Sequence, residues 1–106
     1  MPRTLKASVF LRDTFVGYIE RQGSGFSFQY DEDYLKDGGQ AISLSLPVSY
    51  LPIRSEKLHA FFSGLVSEGW MRKVQSMEQK IDENDEFELL VHNGLDLIGA
   101  ITVEPE

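Results

Sequence analysis

A chain of 106 residues, 42% hydrophobic and 11% aromatic, has the size and composition of one globular domain, expected to run over residues 1–106. It has no cysteine, which excludes a disulfide framework and a thiol nucleophile, and no apolar run near the ~20 residues that span a bilayer, so a cytoplasmic protein without membrane contact is expected. The net charge of −7 is a poor footprint for nucleic acid: residues 1–53 carry five basic and six acidic groups (−1), residues 54–106 five and eleven (−6).

In chain order, Leu5, Ala7, Val9 and Leu11 alternate with polar or outward residues, a period of two that predicts a strand. Arg12-Asp13-Thr14 is a polar break, and Phe15 to Arg21 reads as the returning strand of a hairpin. Gly23-Ser24-Gly25 punctuates the chain and permits positive φ, after which Phe26, Phe28 and Tyr30 define a third strand. Asp31 to Gly39 is a polar loop with one helical turn around Tyr34-Leu35. Ala41 to Leu46 is predicted as a fourth strand stopped by Pro47, and Val48 to Ile53 as an edge strand or extended loop, since proline cannot donate to a ladder.

The pattern then becomes helical. Leu58, Phe61, Phe62 and Leu65 follow i, i+3, i+4, i+7 spacing, with Ser55 as the predicted N-cap. A second helix is predicted from about Trp70 to Gln79. A third, capped by Asp82 or Asn84, buries Phe87, Leu90 and Val91 and ends at His92-Asn93-Gly94, with Gly94 in a left-handed turn. Leu97 to Val103 is a last strand and Glu104-Pro105-Glu106 a polar tail. The expected fold is α+β: a mainly antiparallel sheet of five to six short strands, with two to three helices in the C-terminal half.

Chemical motifs are sparse. A calcium loop beginning at Asp31 fails, because Leu35, Lys36 and Ile42 stand where oxygen ligands and glycine are needed. His59 and His92 have no His or Cys partner at ligand spacing, and His59 is placed on a helix surface. Gly23-Ser24-Gly25 lacks the lysine and helix of a phosphate loop, and no G-x-S-x-G occurs. The six acids of Glu78 to Glu88 read as a solvated face, where carboxylates do no acid–base work. No metal, cofactor or enzymatic activity is expected. An acidic face of this kind suits a basic protein partner.

Four stretches in order, FSFQYDEDYL, AISLSLPV, FFSGLVSEGWMRK and GLDLIGAITVEP, resemble the N-terminal subdomain of HipA-type serine/threonine kinases. Within them the family's motifs fall on Phe28 to Tyr30, Leu44 to Pro47 in a shortened form, Phe61 to Gly69 and Gly94 to Ala100, with Ser67 standing where the family most often has proline. The resemblance implies a copy of this subdomain without the ATP lysine, catalytic-loop Asp-Asn pair or metal-binding Asp of a kinase. It further implies a HipS-like antitoxin of a tripartite toxin–antitoxin system, with a HipT-like serine/threonine kinase as partner and a HipB-like DNA-binding protein in a larger complex. The alternative is a non-inhibitory subdomain that bridges kinase and DNA-binding protein.

The one tryptophan, Trp70, follows Gly69 on a predicted turn, with Glu68 before it and Met71 and Arg72 after it. Tryptophan is enriched among interface hot spots. Trp70 is therefore expected to anchor in a pocket of the kinase, with Glu68 and Arg72 as polar rim contacts. The competing expectation is that its indole packs on the domain's own helices.

Overall fold

A computed structural model of the chain describes residues 4–66, 76–82, 84–94 and 100–106. Five antiparallel strands form one sheet: β1 (Lys6–Leu11), β2 (Thr14–Gln22), β3 (Gly25–Tyr30), β4 (Ile53–Ser55) and β5 (Ile101–Pro105), in the order β4-β3-β2-β1-β5. Three labelled helices join them: α1 (Glu32–Lys36), α2 (Ala60–Ser63) and α3 (Glu86–His92), and residues 76–79 are also helical. The architecture is the α+β arrangement that the sequence predicts, with short helices mostly in the C-terminal half.

The first three strands follow the period-two pattern. Ala7 and Val9 of β1 lie opposite Ile19 and Gly17 of β2, and Ile19 lies opposite Phe28 of β3. The polar break is a two-residue turn in which Arg12 and Asp13 both take positive φ, 56° and 139°. Gly23 also takes positive φ, 61°, at the β2–β3 turn. Val9 pairs with Gly17 but Phe10 with Phe15, so Val16 is the extra residue of a bulge. The bulge buries Val16 on a strand where Ile19 is buried too.

One face of the sheet carries the core. Phe28 meets Phe62 of α2 at 5.4 Å between ring centroids, and Phe26 meets Phe87 of α3 at 5.6 Å. The predicted stripe Phe87, Leu90 and Val91 is buried, joined by Leu89. The cap of α3 is Asp85, not Asp82 or Asn84: its carboxylate accepts the Glu88 N–H at 3.2 Å. Asp82 instead accepts the Asn84 N–H at 2.9 Å and shapes the approach to the helix.

Four local expectations are overturned. Ala41 to Leu46 is no strand but a turn with a single Ser43–Leu46 bridge. It curls around the buried Tyr30, whose hydroxyl donates to the Leu46 carbonyl and accepts the Ile42 N–H at 3.1 Å. Leu46 is thereby buried while Leu44 points wholly outward, and the fourth strand begins only after Pro52. Ser55 ends β4 and is no N-cap; α2 starts five residues later, at Ala60, behind His59, whose ring makes no capping bond. Gly94 lies outside the positive-φ region. A Cβ there would sit 1.8 Å from the Val103 carbonyl oxygen, so glycine serves close approach to β5. Glu104 and Pro105 are no free tail but pair with Ser8 and Ala7 of β1, and the Glu106 N–H donates to the Lys6 carbonyl at 3.0 Å.

Burial pushes the Tyr30 phenol above its ordinary range, an effect that the Ile42 N–H partly offsets and nearby Tyr34 reinforces. A raised value in the folded state means that the stabilisation is complete below about pH 10, the unfolded value, and is lost as pH rises through the folded one. Urea unfolding from pH 8 to 11 is expected to show this loss. In Tyr30→Phe it is expected to be smaller, on a baseline about 1–3 kcal/mol lower because the Leu46 carbonyl and Ile42 N–H lose their partner. An unchanged baseline and pH profile in the variant would refute the role given to this hydroxyl.

Candidate partner-binding surface

The predicted site residues Glu68, Gly69, Trp70, Met71 and Arg72 lie outside the described residues. The flanks of this stretch are described and are fastened to the body. Val66 is buried, and its N–H donates to the Ser63 carbonyl at 3.2 Å. On the far side the Ser76 hydroxyl donates to the Ile81 carbonyl. Gln79 and Asn93 exchange amide hydrogen bonds of 2.8 and 3.1 Å, tying residues 76–79 to the end of α3. Met77 in that stretch is exposed.

The main polar cluster is one that sequence reasoning missed. Arg21 of β2 lies over the adjoining rings of Phe26 and Phe87, its guanidinium carbon 5.6 and 4.8 Å from their centroids. It donates to the Thr4 carbonyl at 2.9 Å, to Asp85 at 2.8 Å and to Glu88 at 3.4 Å. Glu88 also accepts the Thr4 N–H and faces the His92 ring at 3.3 Å. The Glu78 to Glu88 run is therefore not a uniformly solvated face: Glu88 is buried, and Asp85 and Glu88 share one guanidinium. The signal was available in part, because Arg21 has the same strand parity as Ile19 and so points toward the core side.

Above this cluster an open groove of about 780 Å³ runs between the Gly23–Gly25 turn, Leu58 and the residues leading into α3. Of the carboxylates lining it, Asp85 is an acceptor in the clamp between β2 and α3. The Ser63 hydroxyl donates to Glu86 at 2.6 Å and ties α2 to α3 in the same way. His59 is buried rather than on a helix surface. Its Nε2–H donates to the Ile53 carbonyl at 2.7 Å, its Nδ1 has no partner among the described residues, and its ring packs on Phe62 at 6.1 Å. Among the described residues no group of three or more His, Cys, Asp or Glu is placed to hold a metal ion, and no helix is long and apolar enough to cross a membrane. The arrangement joins strands to helices.

Comparison with known proteins adds the following. The model of the HipA N-terminal domain family matches residues 7–104. An uncharacterized protein of Haemophilus influenzae is 38% identical over 98 residues, which are 92% of this chain and 90% of the relative. A solved structure described as the N-terminal domain of HipA toxin is 34% identical with a TM-score of 0.76, covering 100% of this chain and 96% of that one. The similarity is to that N-terminal domain and does not extend to a kinase catalytic core.

Proposed function

The chain belongs to the HipA N-terminal domain family, and from that premise we propose that it is an antitoxin, which binds a HipT-like serine/threonine kinase and restrains it by protein contact. The observation that carries this reading is the extent of the similarity. It takes up 90% of a relative that is itself a short chain, and 96% of a HipA N-terminal domain. The matched domain has no phosphoryl-transfer machinery of its own. It acts on a kinase only through its surface, without enzymatic activity or a cofactor.

Trp70 is the anchor in this account. Beside it Gly69 and Met71 belong to the proposed contact, and Glu68 and Arg72 form its polar rim. Such an anchor contributes about 2 kcal/mol or more, roughly thirtyfold in affinity. Trp70→Ala is expected to weaken binding and inhibition by at least that factor in titrations against the purified kinase, with the melting midpoint unchanged. If the midpoint collapses while affinity per folded molecule is retained, the indole belongs to the protein's own core. Binding without inhibition would make the chain an assembly piece between the kinase and a HipB-like DNA-binding protein.

A further inference from the structure

Six large apolar side chains are exposed among the described residues, and four of them, Leu44, Val48, Tyr50 and Leu51, fall within eight positions. Leu44 is fully exposed and Leu51 is 74% exposed. The sixteen residues between Asp37 and Arg54 hold no charged side chain, the longest such run in a chain that is 25% charged. Solvent-facing loops are ordinarily polar, and loss of charge with gain of apolar and aromatic groups marks the centre of protein interfaces. Single exposed apolar residues are common, but a cluster of this density is not.

The loop is also held in place. The Tyr30 hydroxyl grips it at Ile42 and Leu46, the Gln29 amide donates to the Tyr50 carbonyl at 3.4 Å, and the Leu51 N–H donates to the Ser49 hydroxyl at 3.1 Å. Pro47 and Pro52 fix φ at two further positions. A loop fixed before binding loses less entropy when a partner closes over it.

Charge identifies the kind of partner. The loop leaves directly from α1, whose stretch Asp31, Glu32, Asp33, Lys36 and Asp37 carries four acids against one base. Lys36 is engaged by Glu32 at 3.3 Å. The hydrogen bond and charge of Glu32, then Asp33 and Tyr50, hold Lys36 above its ordinary range, which places Tyr50 within electrostatic reach of α1. The surface is thus an apolar ridge with an acidic flank. A second copy of this chain brings the same uncharged loop and the same −7 charge, and so supplies no cations for that flank.

The geometry points to the loop Leu44–Leu51 as a second contact surface for the kinase, seated in an apolar depression of that protein whose lysines or arginines face α1. This inference rests on the kinase-binding reading above. The test is titration of a purified HipA-like kinase from the same genome with the wild-type chain, Leu44→Ser/Leu51→Ser, Asp33→Lys and Trp70→Ala, with light scattering of the chain alone. The loop variant is expected to bind at least tenfold more weakly with an unchanged melting midpoint, because both side chains already lie in water. Asp33→Lys is expected to slow association and flatten its salt dependence. If the loop variant binds as the wild type does while Trp70→Ala binds weakly, the loop inference fails and the kinase reading stands. If the wild-type chain does not bind the kinase, the reading itself fails. A dimer of the chain alone that the loop variant splits would assign the ridge to a second copy and overturn the proposal.

Discussion

Gly94→Ala is expected to cost about 3 kcal/mol or more of stability, the upper end of the range for inserting a group into a packed site, and to lower the midpoint of urea unfolding accordingly. The added Cβ would lie 1.8 Å from the Val103 carbonyl oxygen and 2.7 Å from its carbon. That obstacle is backbone, so no side chain can swing aside to admit the methyl group. The backbone is also fixed from the other direction, since the Val103 N–H donates to the Gly94 carbonyl at 3.1 Å. Val103 in turn pairs with Val9 in the middle of the β1–β5 ladder. Relief requires α3 and β5 to separate, which uncovers Val91 and Ile101. Gly38→Ala is the control: φ there is +82° and no described residue comes within 4 Å of the position an added Cβ would take. Only backbone strain applies at Gly38, about 1–2 kcal/mol. Equal effects at the two positions, or a Gly94→Ala protein as stable as the wild type, would contradict the close approach of α3 and β5.

The second large effect is expected at Arg21. Arg21→Met keeps an apolar stem beside Phe26 and Phe87 but removes the cation that Asp85 and Glu88 share. Side-chain exposure is 9% for Arg21 and 10% for Glu88, so the pair is mostly shielded from solvent screening. Removing one partner of a buried pair costs about 3–5 kcal/mol, mainly through the charge left behind. The Thr4 carbonyl also loses its donor, which loosens the start of β1. Glu88→Gln in the Arg21→Met background is expected to restore part of the loss, because one of the two carboxylates that shared the guanidinium is then neutral. A double variant whose loss equals the sum of the singles would show that the two side chains do not act as a pair.

How much was legible in the sequence follows the range of the forces involved. The β1–β2–β3 meander could be read because alternation in Ala7–Val9 and Phe28–Tyr30 is a local pattern that the sheet uses unchanged. The buried stripe of α3 could be read for the same reason. Ala41 to Leu46 could not, since its path is set by a hydroxyl on Tyr30, more than ten residues away. Its alternation is real, but Leu44 and Leu46 end on opposite sides of a turn. Gly94 carried the right residue for the wrong reason: a left-handed turn and a close backbone approach both select glycine, and only the position of β5 distinguishes them. Acidic patterning hid the Arg21 clamp, because six acids in eleven residues describe their own segment and not the cation 64 positions earlier that meets two of them. The candidate contact residues around Trp70 came from family resemblance and from the chemistry of tryptophan, and their surroundings were not legible in local pattern at all.

The central claim is that this protein acts on a kinase through its surface, and the most direct test is a phosphorylation assay. A purified HipA-like serine/threonine kinase from the same genome is incubated with labelled ATP while the purified chain is added at increasing concentration, with no third component. The account predicts that phosphorylation falls to background near stoichiometric amounts of the chain and is largely restored when Trp70→Ala is used. Full kinase activity at saturating concentrations of a folded wild-type chain would contradict it.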